Sequence, residues 1–441
     1  MKSFSSSSFA GQPDDALVLA QQAVSAHPQA LFTDFQWFLY EARDSVFFTA
    51  FSARSYDKEG LGNMVAEMVA LAPQLTHGFV GAQPGQPFPK HLLDAITSLE
   101  EVDDFDGYPD KWLGKSDDIF ARPDLPLFRV MAAVRRDGPD EAGRAAILQV
   151  RSSHALLEGS DSALLTRSQV AAHGAQSDKS HKLPWRQRLG SALKGGLSAI
   201  IYMAIANLLA PKDQPWGFKT LAVERHRLRQ LANKLGVRQR SLMFALVTHA
   251  LNGEGQKKHM SGKTIAAAYT MLDNRRNSAD DDFFRVRALE AKFAVSEDFL
   301  DYVRMVDDTV AGIEQKDITS FQVMMNAMFK ALRGINRVLP FLPGRRFWRF
   351  NGGVDIVLTL VPPHRTYGPM THGMMEPLFC GAWHPAANIC TFCPGRDFVT
   401  FNFSMEQRHL ANVDKVLVLL EDMEKREVPP HRMTPSVERL H

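Results

Sequence analysis

The sequence contains few cysteines. Only Cys380, Cys390 and Cys393 occur among 441 residues. Three cysteines cannot form a disulfide framework for a chain of this size, so a reducing cytoplasm is the expected compartment. Cys390 and Cys393 form a lone CxxC inside a predicted strand. Positions three apart on a strand face opposite sides of a sheet, so we predict neither a metal site nor a redox site there.

Long apolar runs are also missing. The longest uncharged stretch, Gly195 to Pro211, has about 17 residues and falls short of the roughly 20 that a membrane-spanning helix needs. The start, Met1 to Phe4 followed by four serines, has one positive charge and no apolar run behind it. We therefore expect no export signal. The expected location is the cytoplasm, either free or associated with the cytoplasmic face of a membrane.

The sequence lacks a charge excess and the common nucleotide, protease and hydrolase motifs. Its net charge is +2, with 23% charged and 45% hydrophobic residues, which indicates a globular chain without a nucleic-acid partner. A glycine-rich phosphate loop, HExxH and GxSxG are all absent, so nucleotide hydrolysis, zinc proteolysis and serine hydrolysis have no support. We expect neither a resident cofactor nor a metal.

The length predicts two lobes, because one ordinary core rarely serves so many residues. We divide the chain into a lead-in (1–31), an N-terminal lobe (32–180), a linker with a basic and then apolar helix (181–217) and a C-terminal lobe (218–441). Each lobe contains both strands and helices, but they do not alternate regularly as in βαβ units. This order favours an α+β fold with a mixed sheet and packed helices in each lobe.

Hydrophobic patterns predict the individual elements. Strands are predicted at Val46 to Arg54, Leu127 to Arg135, Ala145 to Arg151, Thr264 to Leu272, Val286 to Val295, Val354 to Val361, Ala387 to Phe392 and Phe398 to Phe403. Helices are predicted at Gly60 to Ala72, Ser162 to Val170, Trp185 to Leu209, Leu221 to Leu235, Ser241 to Leu251, Glu297 to Ile313 and Leu410 to Lys425.

One short motif carries candidate chemistry. Ser153-His154-Ala155-Leu156-Leu157-Glu158-Gly159 begins where the predicted strand over Ala145 to Arg151 ends. An imidazole with an ordinary pKa of ~6.5 is largely neutral and basic at cell pH. Glu158 can hold the following turn by hydrogen bonding, and Gly159 permits backbone geometry that a side chain would forbid. With fifteen histidines in the chain, the residues alone leave catalytic and structural roles equally open.

A resemblance to a known family rests on this motif and its surroundings. Leu125 to Val130, the strand into Ser153 to Gly159, and Ser162 to Leu165 together resemble the bacterial wax ester synthase/diacylglycerol acyltransferase family with its HHxxxDG motif. The similarity covers Phe32 to Glu424 as a pattern of elements, with local matches at Leu235 to Val237, Ala266 to Arg276, Asn388-Ile389 and Gly395 to Phe398. The wider superfamily includes chloramphenicol acetyltransferase and the condensation domains of peptide synthetases.

The resemblance implies a fold and a mechanism. The fold would be two chloramphenicol-acetyltransferase-like lobes with a tunnel between them. His154 would match the general base of the motif, Glu158 its mainly structural aspartate and Gly159 its glycine. The implied reaction moves a long acyl chain from acyl-CoA, or from an acyl carrier protein, to a hydroxyl of a lipid-like acceptor without an acyl-enzyme. Asn388 and Thr391, from the opposite lobe, are candidates for the oxyanion donor or the tunnel wall.

The sequence also departs from the family pattern. Ser153 replaces the first histidine and Glu158 the aspartate. Arg240-Ser241 stands where the family has Asn-Asp, and Leu360 stands where Ser-Asn-Val-Pro-Gly has its asparagine. Two alternatives therefore stay open beside O-acyl transfer: a catalytically degenerate protein that binds lipid or a partner, and N-acyl transfer or condensation on an amine.

The functions of two further groups of residues have more than one interpretation. The segments Trp185 to Leu209 and Lys330 to Phe350 combine basic and apolar residues, which suits either contact with an anionic membrane surface or ordinary packing on their own lobe. Most other histidines are interpreted as structural or surface residues, among them His249, His364, His372 and His384. His384 would matter only if it faced the tunnel.

Overall fold

We describe the fold from a computed structural model. It describes residues 32–71, 73–81, 86–113, 119–157, 184–209, 215–252, 264–272, 286–294, 296–314, 319–338, 354–361, 373–384 and 387–427. The predicted lead-in, the helix predicted at Ser162 to Val170 and the motif residues Glu158 and Gly159 lie outside these ranges. The same is true of His364, His372 and the segment after Val338 up to Phe350.

Eleven strands are present in the described part of the chain. They are β1 (Ser45–Ser52), β2 (Thr97–Val102), β3 (Phe128–Arg135), β4 (Ala146–Ser153), β5 (Trp216–Glu224), β6 (Thr264–Leu272), β7 (Val286–Ala294), β8 (Ile356–Leu360), β9 (Met374–Trp383), β10 (Ile389–Pro394) and β11 (Phe398–Glu406).

The described helices are, in chain order, α1 (Asp34–Glu41), α2 (Lys58–Leu71), α3 (Lys90–Ile96), α4 (Asp110–Leu113), α5 (Trp185–Leu209), α6 (Arg225–Leu235), α7 (Gln239–Leu251), α8 (Phe299–Glu314), α9 (Thr319–Val338), α10 (Gln407–Leu410) and α11 (Lys415–Lys425). A short 3₁₀ helix spans Pro73–Thr76.

The N-terminal lobe is built on a mixed sheet with the order β2-β3-β4-β1-β9. Every residue of β1 and β4 is buried, because both faces of the sheet are covered. One face packs on a core that includes residues from α1, α2 and α9, among them Trp37, Leu61 and Phe329. A smaller cluster around Phe105 and Trp112 covers part of the other face.

The C-terminal lobe is built on a second mixed sheet with the order β5-β11-β10-β8-β6-β7. Phe392, Phe401 and Phe403 project from β10 and β11 into a core that they share with residues of α6, α7, α8 and α11. Alternate residues of a strand face opposite sides, so Thr391 and Asn402 project from the other face of this sheet. That face meets the N-terminal lobe, because Thr220 of β5, paired with Asn402, donates to Asp110 Oδ1 of α4 at 2.9 Å.

Strand β9 joins the two lobes. It follows β8 of the second sheet in the chain, yet it pairs antiparallel with β1 of the first sheet, from Ser45 opposite Trp383 to Ser52 opposite Met374. The hydroxyl of Thr400 on β11 donates to the carbonyl oxygen of Leu378 on β9 at 2.8 Å. The first sheet is therefore completed by a strand that also contacts the second.

The structure confirms the α+β, two-lobed architecture and most predicted elements, and it corrects others. The predicted helix from Leu221 is wrong at its start, because Leu221 lies in β5 and the helix begins at Arg225. Strand β2, at the edge of the first sheet, was not predicted. The prediction that Cys390 and Cys393 face opposite sides is confirmed, since they pack in different cores.

Candidate active site

His154 lies directly after β4, which is the central strand of the first sheet. Its amide donates to the carbonyl oxygen of Asp44 at 2.8 Å, which extends the pairing of β4 with β1 by one residue. Its side chain is only partly accessible. The end of a rigid, fully buried strand thus fixes the backbone that carries the imidazole.

The turn after His154 is held from two sides. The buried Ser153 hydroxyl accepts a hydrogen bond from the Ala155 amide at 3.2 Å, and the Ser153 carbonyl accepts one from Leu156 at 3.0 Å. Gln36 forms a capping box with Thr33 at the start of α1, and its side-chain amide donates to the Ala155 carbonyl at 3.0 Å. Ser153 therefore serves as a structural residue of this turn.

Burial makes His154 a weak and neutral base. Removal from solvent lowers the pKa of its imidazole from 6.5 to about 4, because the charged form loses hydration. At cell pH the ring is neutral and can accept a proton. The same burial disfavours the imidazolium that would form when it does.

Two further ionisable residues lie in register with His154 on the neighbouring strands. Ser153, Ser45 and Trp383 lie in register across β4, β1 and β9, so the next residues, His154, Asp44 and His384, occupy one rung at the same end of the sheet. The His384 Nε2 atom is 3.6 Å from Asp44 Oδ1, and both side chains are nearly buried, at 12% and 13% exposure. Asp44 Oδ1 is inaccessible to solvent and accepts no hydrogen bond.

Burial also changes the protonation of Asp44. The loss of hydration raises the pKa of this carboxyl well above its usual range. A positive charge on His384, the side chain that Oδ1 faces, would favour the ionised carboxylate. The sequence alone does not indicate Asp44, and it favours a structural or surface role for His384. The signal available for Asp44 is an ionisable side chain two residues before the strand predicted at Val46 to Arg54.

The structure separates the two candidate oxyanion donors. The Asn388 side chain is held at both atoms, because its Nδ2 donates to the Asp355 carbonyl at 3.1 Å and its Oδ1 accepts from the Glu406 amide at 3.0 Å. Thr391 is buried, and its hydroxyl has no hydrogen-bond partner among the described residues. Asn388 therefore joins the ends of two strands, whereas no such structural bond is made by the Thr391 hydroxyl in this part of the chain.

Thr391 belongs to a group of unpartnered oxygens on one face of the second sheet. Asn402 stands opposite Thr391, and Ser404 follows two residues later on the same face of β11. Asn402 Oδ1 and Ser404 Oγ are buried and also lack hydrogen-bond partners. Buried polar atoms are nearly always paired, so these three oxygens make this face of the sheet a candidate binding surface. This face is turned toward the N-terminal lobe.

The described residues contain neither a metal-binding cluster nor a membrane-spanning helix. Among them, no group of three or more histidine, cysteine, aspartate or glutamate side chains is arranged to hold a metal ion. Within the same ranges, every helix is too short or too polar to cross a bilayer.

Comparison with known proteins defines the class of fold. No family profile and no curated protein matches this sequence. Among solved structures, the chain is similar to trichothecene 15-O-acetyltransferase from Fusarium sporotrichioides, at 10% identity and a TM-score of 0.55, over 88% of this chain and 95% of the other. The chain therefore shares the two-lobed fold of this acetyltransferase.

Two other solved structures are similar to this chain with lower TM-scores. The wax ester synthase/diacylglycerol acyltransferase from Marinobacter aquaeolei is 13% identical with a TM-score of 0.48, over 88% of this chain and 96% of the other. The first condensation domain of the calcium-dependent antibiotic synthetase is 12% identical with a TM-score of 0.48, over 94% and 95%. The fold assignment rests on the acetyltransferase, and membership of the wax ester synthase family stays a prediction.

Proposed function

We propose that this chain is an O-acyltransferase in which His154 is the general base. The observation that carries the proposal is a neutral, partly accessible imidazole fixed at the end of the central strand, in a fold used by an acetyltransferase. The donor is an acyl thioester, acyl-CoA or an acyl carrier protein. The acceptor is the hydroxyl of a lipid-like molecule.

The reaction needs only one proton carrier. The neutral imidazole of His154 takes the proton of the acceptor hydroxyl while its oxygen attacks the thioester carbonyl. The tetrahedral intermediate then collapses, the carbon–sulfur bond breaks, and the imidazolium returns the proton to the departing thiolate. No bond forms between the acyl group and the protein.

The negative oxygen of the tetrahedral intermediate requires a hydrogen-bond donor. We assign this role to the Thr391 hydroxyl, because it is buried and has no hydrogen-bond partner among the described residues, whereas the Asn388 side chain is bound to Asp355 and Glu406. A preorganised donor of this kind contributes about 100- to 1,000-fold in rate. Glu158 and Gly159 keep the supporting roles that the resemblance implies.

A lipid-like acceptor is supported by an unusual surface on α5. Six large apolar side chains project into solvent at roughly four-residue spacing, namely Trp185, Leu189, Leu193, Leu197, Ile200 and Ile201. The opposite side of the helix, with Ser191, Gly195 and Ala199, packs inward. We call the six outward residues the apolar stripe. A helix with one such face suits the boundary between head groups and acyl chains.

The charge around the stripe suits an anionic bilayer. Neither α5 nor its neighbour α9 contains an aspartate or glutamate, whereas both contain lysine and arginine. Basic residues near an anionic surface contribute about 1 kcal/mol each. We therefore propose that the protein rests on an anionic membrane through the apolar stripe, where long-chain substrates are concentrated.

The test of catalysis is thiol release from palmitoyl-CoA in the presence of a panel of long-chain alcohols and amines. The wild-type chain should release thiol with an alcohol, and His154→Ala should lose most of that rate, whereas exposed His226→Ala should not. Product mass separates esters from amides. Full activity of His154→Ala would disprove the mechanism, and binding without release for every acceptor would favour the degenerate binding protein.

A further inference from the structure

The residues beside His154 form an unexpected charged arrangement. His154 ends β4, Asp44 precedes β1, and His384 follows β9, so three strands deliver one ionisable residue each to a single rung. Residues directly opposite each other in an antiparallel pair have Cβ atoms about 4.5–5.5 Å apart and share a face of the sheet. Asp44 therefore lies between the two histidines, bonded to one through its backbone and facing the other with its carboxyl group.

Among the described residues, the Oδ1 atom of Asp44 accepts no hydrogen bond, and its charged neighbour is the His384 imidazole at 3.6 Å. A buried carboxylate without compensation is costly and takes up a proton, so it stays ionised only beside a positive charge. The general base beside it needs a negative charge, because protonation of His154 creates a cation in a site removed from water.

The other charged groups on the surrounding described elements are occupied or turned away. Arg151 of β4 donates to the Trp112 carbonyl, and Arg333 of α9 pairs with Asp34 of α1 at 3.0 Å. Arg43, in the turn before β1, and Lys330 and Arg337, on α9, are exposed. Among the described residues, His384 is the side chain that faces the Asp44 carboxyl and that becomes a cation when its ring is protonated.

We propose that Asp44 and His384 form a positioning pair for acyl transfer, in which the Asp44 carboxylate is the counter-charge of the His154 imidazolium and His384 keeps that carboxylate ionised. This inference rests on the proposed function of His154. When His154 accepts the proton of the acceptor hydroxyl, the new positive charge lies beside the carboxylate. Loss of either partner removes the counter-charge, because without His384 the buried Asp44 takes up a proton.

The direction of the pH effect follows from this arrangement. His154 must be neutral to act as a base, so activity falls on the acid side as the imidazole becomes protonated. An adjacent carboxylate favours the protonated ring, and its removal disfavours it. The acid limb of the kcat profile should therefore move to lower pH in both Asp44→Asn and His384→Gln. A general loss of folding would not move it.

The experiment measures kcat and KM for palmitoyl-CoA across the pH range in the wild-type chain, Asp44→Asn, Asp44→Glu and His384→Gln. We expect kcat to fall at least about 10-fold in Asp44→Asn and His384→Gln, with KM little changed, and to recover partly in Asp44→Glu. The matched control is His226→Gln. His226 also faces a carboxylate, Glu224 at 3.5 Å, but that pair is exposed and lies in the other lobe.

The outcomes are separable. The His226→Gln control should keep the wild-type kcat and the wild-type acid limb. If Asp44→Asn and His384→Gln keep them too, while His154→Ala is inactive, the positioning pair is disproved. Full activity of His154→Ala, or no thiol release from the wild-type chain, overturns the proposed function and this inference with it. Thermal melting checks folding, and if Asp44→Asn does not fold, the acid limb of His384→Gln decides.

Discussion

Gly195 of α5 lies against the backbone of α9 at Met324. A Cβ atom on Gly195 would overlap the Met324 carbonyl oxygen and come within 2.7 Å of the Ala327 Cβ. Only a residue without a side chain permits this close contact between α5 and α9. With Gly195 on the side of α5 that packs against α9, the apolar stripe faces outward. The next residue, Gly196, has no atom within 4 Å of the same position.

Alanine at these two glycines should have opposite effects on stability. Gly196→Ala should stabilise the protein by about 0.5–1 kcal/mol, because alanine favours a helix over glycine. Gly195→Ala gains the same helix propensity but must separate α5 from α9, so we expect a net loss of about 1–3 kcal/mol. Denaturation midpoints of the two variants measure the difference. Equal midpoints would contradict the close helix contact.

The unpartnered Thr391 hydroxyl predicts a variant that loses rate without losing stability. Thr391→Val keeps the shape and removes an oxygen that has no hydrogen-bond partner, so its melting temperature should match or exceed the wild type. Thiol release should fall about 100- to 1,000-fold if this hydroxyl stabilises the oxyanion. An unchanged rate would remove Thr391 from the site.

Thr400 is the control for Thr391, because it lies on the same face of the second sheet and its hydroxyl is bonded. It donates to Leu378 at 2.8 Å. Thr400→Val should destabilise the protein by about 0.5–1.5 kcal/mol through loss of this bond.

The apolar stripe predicts binding to anionic vesicles. The chain should sediment with vesicles that contain phosphatidylserine more than with phosphatidylcholine alone, and less at high salt, because surface charges are screened. The triple variant Trp185→Ser, Leu193→Ser, Leu197→Ser should lose most of this binding. Val418 is an exposed apolar residue on α11, away from the stripe, and Val418→Ser should bind normally. Normal binding of the triple variant would exclude α5 as the contact.

Burial of His154 predicts a pH dependence of stability. The folded pKa lies below the unfolded value of 6.5, so between about 4 and 6.5 the unfolded chain binds more protons than the folded one. Unfolding free energy should therefore fall as pH falls through this window, by on the order of 1–3 kcal/mol from this residue. In His154→Gln, the decrease in unfolding free energy between pH 6.5 and 5 should be smaller than in the wild-type chain. An identical decrease in both would mean that His154 is not desolvated.

The sequence predicted best those elements whose pattern is local. Strands β3, β4 and β11 have continuous or alternating apolar residues, and the predicted start of each lies within one residue of the observed start. Strand β2 was missed because it is an edge strand with the sequence TSLEEV, mostly partly exposed or exposed. Strand β9 contains Pro377 and Gly381, which weaken a strand prediction.

Gly381 shows why β9 could not be predicted from its own residues. A Cβ atom there would overlap the ring of Phe47, which stands opposite it on β1. The glycine is explained only by a partner from the start of the chain. The same long-range pairing brings His384 to Asp44, so the motif predicted His154 but not the residues beside it.

The pairing of β9 with the first sheet limits where the chain can be cut into separate fragments. An isolated N-terminal half would lack β9 and would leave β1, with the sequence SVFFTAFS, as a bare edge of its sheet. Such an uncovered apolar edge recruits other chains into intermolecular sheets. It would also lose His384. The two lobes are therefore parts of one folding unit, and a split form should recover a soluble, complete site only when both fragments are made together.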